Sequence, residues 1–131
     1  MINPPGSPNV PNAMNEGPSA CPIPRWQLLK QELHNVGPAE FDRLRATAPA
    51  GTVIDVRAPS EFTDYHLEGA INYNYLGPDF LEQIEALDPD TEYLVYCRSG
   101  RRSVRACTLM RNSGIRNLIH LDGGINSYET S

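Results

Sequence analysis

Cys97 opens the segment Cys97-Arg98-Ser99-Gly100-Arg101-Arg102-Ser103, in which the next five positions hold three arginines and a glycine. Only the thiolate of a cysteine is a good nucleophile, and neighbouring arginines and a helix N-terminus both favour it. This segment offers both. Gly100 permits a positive φ, so the short arc can turn several backbone N–H groups inward as an anion nest. The helix expected behind it adds the positive end of its dipole, with Ser103 placed to cap it. A thiolate or persulfide anion at the centre would be stabilised with no metal, cofactor or separate base. A lone cysteine at a strand end is usually a buried, inert thiol. Such a thiol has no use for three adjacent positive charges.

The other reactive residue types form no comparable group. On a helical projection Ala106, Cys107, Leu109 and Met110 share one side, with Arg105, Thr108, Arg111 and Asn112 opposite, so Cys107 reads as core packing. That places it poorly for a bridge to Cys97. Cys21 reads as incidental. His34, His66 and His120 are scattered without metal-ligand spacing, and His66 reads as structural in preference to pocket-lining. No glycine-rich phosphate motif or serine-centred elbow is present.

The elements that must position Cys97 alternate. Leu28 to Val36 is ambiguous and includes a candidate first strand. Pro38 opens a helix with Glu40 at its positive end and Phe41, Leu44 and Ala48 as an apolar stripe; Ala50-Gly51 ends it. Thr52–Val56 reads as a buried strand, Pro59–Phe62 as a helical turn and Ala70–Tyr73 as a strand. Asp79–Leu87 reads as a helix, Tyr93–Tyr96 as a strand, Ser103–Asn112 as a helix closed by Gly114, and Asn117–Leu121 as the last strand. A short terminal helix follows Gly123-Gly124. This alternation predicts an α/β domain with a mainly parallel sheet covered on both faces. Sites on such sheets lie beyond the carboxyl ends of the strands, where Cys97 stands.

Composition narrows the partners. The chain has 131 residues and a net charge of −5, with 40% hydrophobic residues, enough for one domain with a core. Between Tyr93 and Leu121 lie six arginines and no acid, inside an otherwise acidic chain. The overall balance argues against nucleic-acid or anionic-membrane partners. No run is long enough to span a bilayer, and the start lacks the basic-then-apolar pattern of a signal peptide. Three cysteines cannot make a disulfide scaffold and suit a reducing, cytoplasmic compartment. Residues 1–24, with seven prolines and no base, read as an extended arm before a domain at 25–131.

Several stations in order carry a family resemblance. They are Ile54-Asp55-Val56-Arg57, Glu61-Phe62, His66-Leu67-Glu68-Gly69-Ala70-Ile71-Asn72, Tyr96 through Ser103, Gly114-Ile115, and Leu121-Asp122-Gly123-Gly124-Ile125. From Glu32 to Tyr128 the chain resembles the single-domain rhodanese sulfurtransferases. The resemblance implies a three-layer domain around a five-stranded parallel sheet. It implies that Cys97 accepts a sulfane sulfur as a persulfide. Amides of Arg98, Ser99, Gly100, Arg101, Arg102 and Ser103 would form its pocket, and Arg98, Arg101 and Arg102 would draw in an anionic donor such as thiosulfate. Asp55 and Arg57 match the family's structural charged pair, with Glu61 as a candidate partner for Arg57 and His66 nearby. The acceptor would be cyanide or a thiol, with a sulfur-relay protein as a further partner. A persulfide carrier that docks on a partner protein is the alternative. Tyr65, Glu68 and Tyr128 depart from the family's usual glycine, proline and tryptophan. Related phosphatases and arsenate reductases use a seven-residue loop from cysteine to arginine, whereas here Ser103 holds the last position.

Overall fold

The computed structural model describes residues 23–129, so Cys21 and nearly all of the expected arm fall outside the described residues. Five strands form one sheet: β1 (His34–Val36), β2 (Val53–Asp55), β3 (Ile71–Asn72), β4 (Glu92–Tyr96) and β5 (Asn117–Leu121). Their order is β1-β5-β4-β2-β3, and every neighbouring pair is parallel. The helices are α1 (Arg25–Lys30), α2 (Pro38–Ala46), α3 (Pro59–Asp64), α4 (Phe80–Glu85), α5 (Arg101–Asn112) and α6 (Asn126–Glu129). The α/β architecture with a parallel sheet expected from the alternation is present, with the five strands that the family resemblance implies. No helix among the described residues is long and apolar enough to cross a membrane.

Strand β4 lies at the centre, and its residues Tyr93 to Tyr96 are all buried. The two-residue period of a strand sends alternate side chains to opposite faces. Tyr93, Val95 and Cys97 join one core with Phe80, Ile84, Cys107 and Met110 of α4 and α5. Leu94 and Tyr96 join the other with Phe41 of α2, Leu67 and Leu121. A strand apolar on both faces belongs in the middle of a covered parallel sheet, and its carboxyl end delivers Cys97 to the rim facing α5. The edge strands are short, β3 having two residues and β1 three, which leaves little unpaired backbone for other chains to join.

Some boundaries differ from expectation. The ambiguous stretch from Leu28 divides into the end of α1 and the strand β1. Helix α2 ends at Ala46, short of Ala48, and α4 is trimmed at both ends to Phe80–Glu85. Helix α5 starts at Arg101, two residues before the expected start. Gly100, at φ 101°, takes the cap position through a conformation that other residues rarely adopt. Ser103 therefore sits inside the first turn and does not cap the helix; the reason its hydroxyl turns elsewhere lies in β5.

Candidate active site

Cys97 leaves the end of β4 with no exposed surface. The amide of Gly100 donates to its Sγ at 3.0 Å and that of Ser103 at 3.3 Å. Of the six amides expected around the sulfur, these two reach it. Both belong to the start of α5, so the sulfur lies at the positive end of a twelve-residue helix. Such an arrangement suits an electron-rich sulfur, because the donors are fixed by backbone geometry and need no reorganisation.

The backbone behind the loop is fixed by the Asp122–Ile125 turn. Ile125 donates its amide to the Cys97 carbonyl at 2.9 Å and Asn126 donates to Arg98 at 3.0 Å. Gly124 makes this approach possible: a Cβ there would fall 2.4 Å from the Arg98 carbonyl oxygen.

The charged residues arrange themselves differently from the sequence expectation. Arg57 pairs with Asp55, its Nε and Nη2 donating to Oδ2 at 3.0 and 2.8 Å, and both residues are buried. Asn72 Nδ2 donates to the carbonyls of both, stitching β3 to this corner. Glu61 is not the hydrogen-bonding partner of Arg57. Its carboxylate takes Arg102 at 2.7 and 3.1 Å and Arg98 at 3.3 Å, because α3 sets it opposite the loop rather than beside β2. The Arg102 hydrogen bond holds the Glu61 carboxyl down to about 2, against the opposing effect of burial. The third loop arginine, Arg101, lies over the Trp26 ring of α1, 5.1 Å from its centroid. All three guanidinium groups expected to draw in an anion thus have protein partners. Ser99 and Arg98 are exposed on the outer side of the loop.

His66 stacks on Phe62 at 3.8 Å and donates Nδ1–H to the Phe62 carbonyl, a local staple at the end of α3. Beside the loop, Arg57, Asp64, Tyr65, Arg98, Ile125 and Asn126 line a cleft of about 260 Å³. Cys97 and Cys107 are both free, and burial in the core pushes the Cys107 thiol up, out of the reactive range. No cluster of three or more histidine, cysteine or acidic residues able to hold a metal occurs among the described residues.

Residues 37–131 match the Rhodanese-like domain family. The chain belongs to this family. It is 34% identical over 85 residues to thiosulfate sulfurtransferase 16, chloroplastic, of Arabidopsis thaliana, spanning 57% of this chain and 71% of that protein. It is also 33% identical over 97 residues to a tRNA uridine(34) hydroxylase of Acaryochloris marina, covering 71% of this chain but 31% of that longer protein. A crystal structure of a rhodanese-related protein from Thermoplasma volcanium superposes with a TM-score of 0.63 at 27% identity, covering 74% of this chain and 91% of that one. This rhodanese domain therefore has sulfurtransferase-named relatives, and persulfide formation on a cysteine is the general mechanism of its family.

The sequence reading missed His120, Asn35 and Trp26, all of which connect to the loop. The signal for His120 was its alternation with Ile119 and Leu121, which assigns it to the α5 face of β5. Asn35 carried no such signal, since it lies in the ambiguous stretch from Leu28 to Val36, and nothing in the sequence around Trp26 pairs it with Arg101.

Proposed function

We propose that this domain is a sulfurtransferase in which Cys97 carries the sulfur. The observation that supports it is the pair of amides, from Gly100 and Ser103, donating to Sγ. The Cys97 thiolate attacks the outer sulfur of thiosulfate; the new S–S bond forms as the old one breaks, and sulfite leaves with the electron pair. The outer sulfur of the persulfide takes up the anion position. Cyanide or a thiolate acceptor then attacks that sulfur, leaves as thiocyanate or a new persulfide, and returns Cys97 as a thiolate. Arg98, Ser99, Gly100, Arg101, Arg102 and Ser103 line the path of the donor, while Asp55, Arg57, Glu61 and His66 hold the surrounding frame. The catalytic unit comprises residues 25–131, since α1 packs on α5 and reaches the loop through Trp26. A free nucleophilic thiol suits the cytoplasm.

Oxyanion chemistry is disfavoured by the position six residues after Cys97. There the Ser103 amide faces the sulfur, while Arg102, one residue earlier, is held by Glu61. The related phosphatases and arsenate reductases carry an arginine at that place, where its guanidinium holds the oxyanion being attacked.

A persulfide carrier for a partner protein is the second reading. It is favoured by the complete burial of Cys97 together with the paired state of Arg98 and Arg102, which leaves a free dianion little to bind. Intact-mass measurement after thiosulfate treatment tests the common step. One added sulfur on the wild-type chain and none on Cys97→Ser is expected; equal loading of the variant refutes the role of Cys97. Turnover with thiosulfate and cyanide then separates the readings, because a stable persulfide with negligible turnover belongs to the carrier.

A further inference from the structure

The amide of Ser103 meets the Cys97 sulfur, and its hydroxyl points the other way, into a buried polar chain. Ser103 Oγ lies 2.6 Å from His120 Nε2, and His120 Nδ1 lies 2.7 Å from Asn35 Oδ1. Asn35 fixes the direction of this chain. Its Nδ2 donates to the Lys30 carbonyl at 3.0 Å and the Leu33 carbonyl at 3.2 Å, so its oxygen is the atom that faces the histidine. A carbonyl oxygen only accepts, and the ring proton therefore resides on Nδ1. Nε2 is left bare and accepts the single hydroxyl proton of Ser103. The Gly100 carbonyl, 3.2 Å from the same hydroxyl, already accepts the Val104 amide at 3.0 Å. Burial lowers His120 to about 4, consistent with the neutral ring that this bonding requires.

The same ring also backs the second donor. Its Cε1 lies 3.8 Å from where a Cβ on Gly100 would stand. One imidazole thus bonds one of the residues whose amides reach the sulfur and lies close to the other.

We propose that His120 is a positioning residue for the Cys97 cradle, acting through the Ser103 hydroxyl and oriented by Asn35. The proposal rests on the reading of Cys97 as the sulfur acceptor. Without the ring acceptor, Ser103 and the first turn of α5 lose the bond that sets their distance from the sulfur. The amides then solvate the persulfide less well as it forms. Donor capture at the mouth of the site, which His120 does not touch, stays the same.

The test compares His120→Phe, Ser103→Ala, Ser103→Thr and the double variant His120→Phe/Ser103→Ala with wild type. Single-turnover sulfur loading from thiosulfate is followed by intact mass, with thermal melting of each chain alongside. We expect each of the first two substitutions to slow loading about tenfold at saturating thiosulfate, the loss of one well-placed hydrogen bond. The thiosulfate concentration giving half-maximal loading should barely change. Ser103→Thr, which keeps the hydroxyl, should recover most of the rate, and the double variant should be no slower than the slower single. Melting points that fall while loading per folded chain stays at the wild-type rate overturn the proposal, and so do losses that multiply in the double variant. Should His120→Phe fail to fold, the Ser103→Ala and Ser103→Thr pair decides alone: equal rates overturn it. A wild-type chain that takes up no sulfur overturns the reading of Cys97 itself, and this proposal with it.

Discussion

Glu61 decides how much of the positive charge beside Cys97 is open to a substrate. It holds Arg102 through two hydrogen bonds and touches Arg98, and its side chain is only 20% exposed. Glu61→Gln should therefore lower the half-saturating thiosulfate concentration by about two- to fivefold, the effect of deleting one partly screened negative charge near a dianion. The same change should cost about 1 kcal/mol of folding stability, read from denaturant midpoints. An unchanged thiosulfate dependence would show that the donor never meets these guanidinium groups. At this scale much was readable from the chain: Cys97 and its glycine stand in a local segment whose residue types announce them, and the family resemblance pointed to the Asp55–Arg57 pair. The partner of Glu61 was not. Arg57 is four positions away in sequence, but Arg102 is brought across from another element, and only the packing of α3 against the loop selects it.

The element that governs the shape of the cradle is the turn from Asp122 to Ile125. Its last amide, that of Ile125, and the amide of Asn126 just after it bind the carbonyls of Cys97 and Arg98, and Gly124 has φ 63° with no room for a Cβ. Because the obstructing atoms are backbone, no side chain can move aside. Gly124→Ala should destabilise the fold by about 3 kcal/mol or more and depress sulfur loading in whatever fraction folds, as measured by thermal melts and intact mass. A near-neutral melt would mean that the turn shifts freely. Strand positions were legible because β-branched and aromatic runs mark them, as in Val53-Ile54 and Tyr93–Tyr96. Helix starts marked by proline, Pro38 and Pro59, were legible too, whereas the start of α5 was not. A serine three residues into α5 looks like a cap until the neighbouring strand offers its hydroxyl a better acceptor, and that acceptor is 17 residues away in sequence.

Across the whole molecule, His120 makes stability depend on pH. Its ordinary value is 6.5 and burial lowers it to about 4 in the folded chain, with Asp122 opposing that shift and Lys30 adding to it. As the pH falls, the unfolded chain takes up this proton first. Stability should be flat above about pH 7 and fall between about 6.5 and 4, by an amount approaching 3 kcal/mol. Glu61 acts in the same direction at lower pH: lowered to about 2, it withdraws stability as its carboxylate is protonated below about 4.5. Denaturant midpoints at pH 7.5, 6 and 5 check the first phase, and His120→Phe should flatten it. Midpoints that hold steady down to pH 5 would contradict a buried neutral imidazole. None of this pH behaviour was legible from the sequence: alternation with Ile119 and Leu121 marks the face of β5 that His120 takes, but the packing that buries it between Ser103 and Asn35 is set by distant residues.

The chain carries a single tryptophan, and its ring rests against the guanidinium of Arg101 at the entrance to α5. The protein thus contains its own optical reporter. Persulfide formation leaves the charge unchanged but moves it from Cys97 Sγ to a second sulfur at the start of α5, whose first residue is Arg101, and any change in the arginine's pose alters the surroundings of the indole. Emission near the red edge should shift in intensity when thiosulfate is mixed with the wild-type chain and recover on adding cyanide, while Cys97→Ser stays dark to both. A stopped-flow trace would then time each half of the cycle without label or coupled assay.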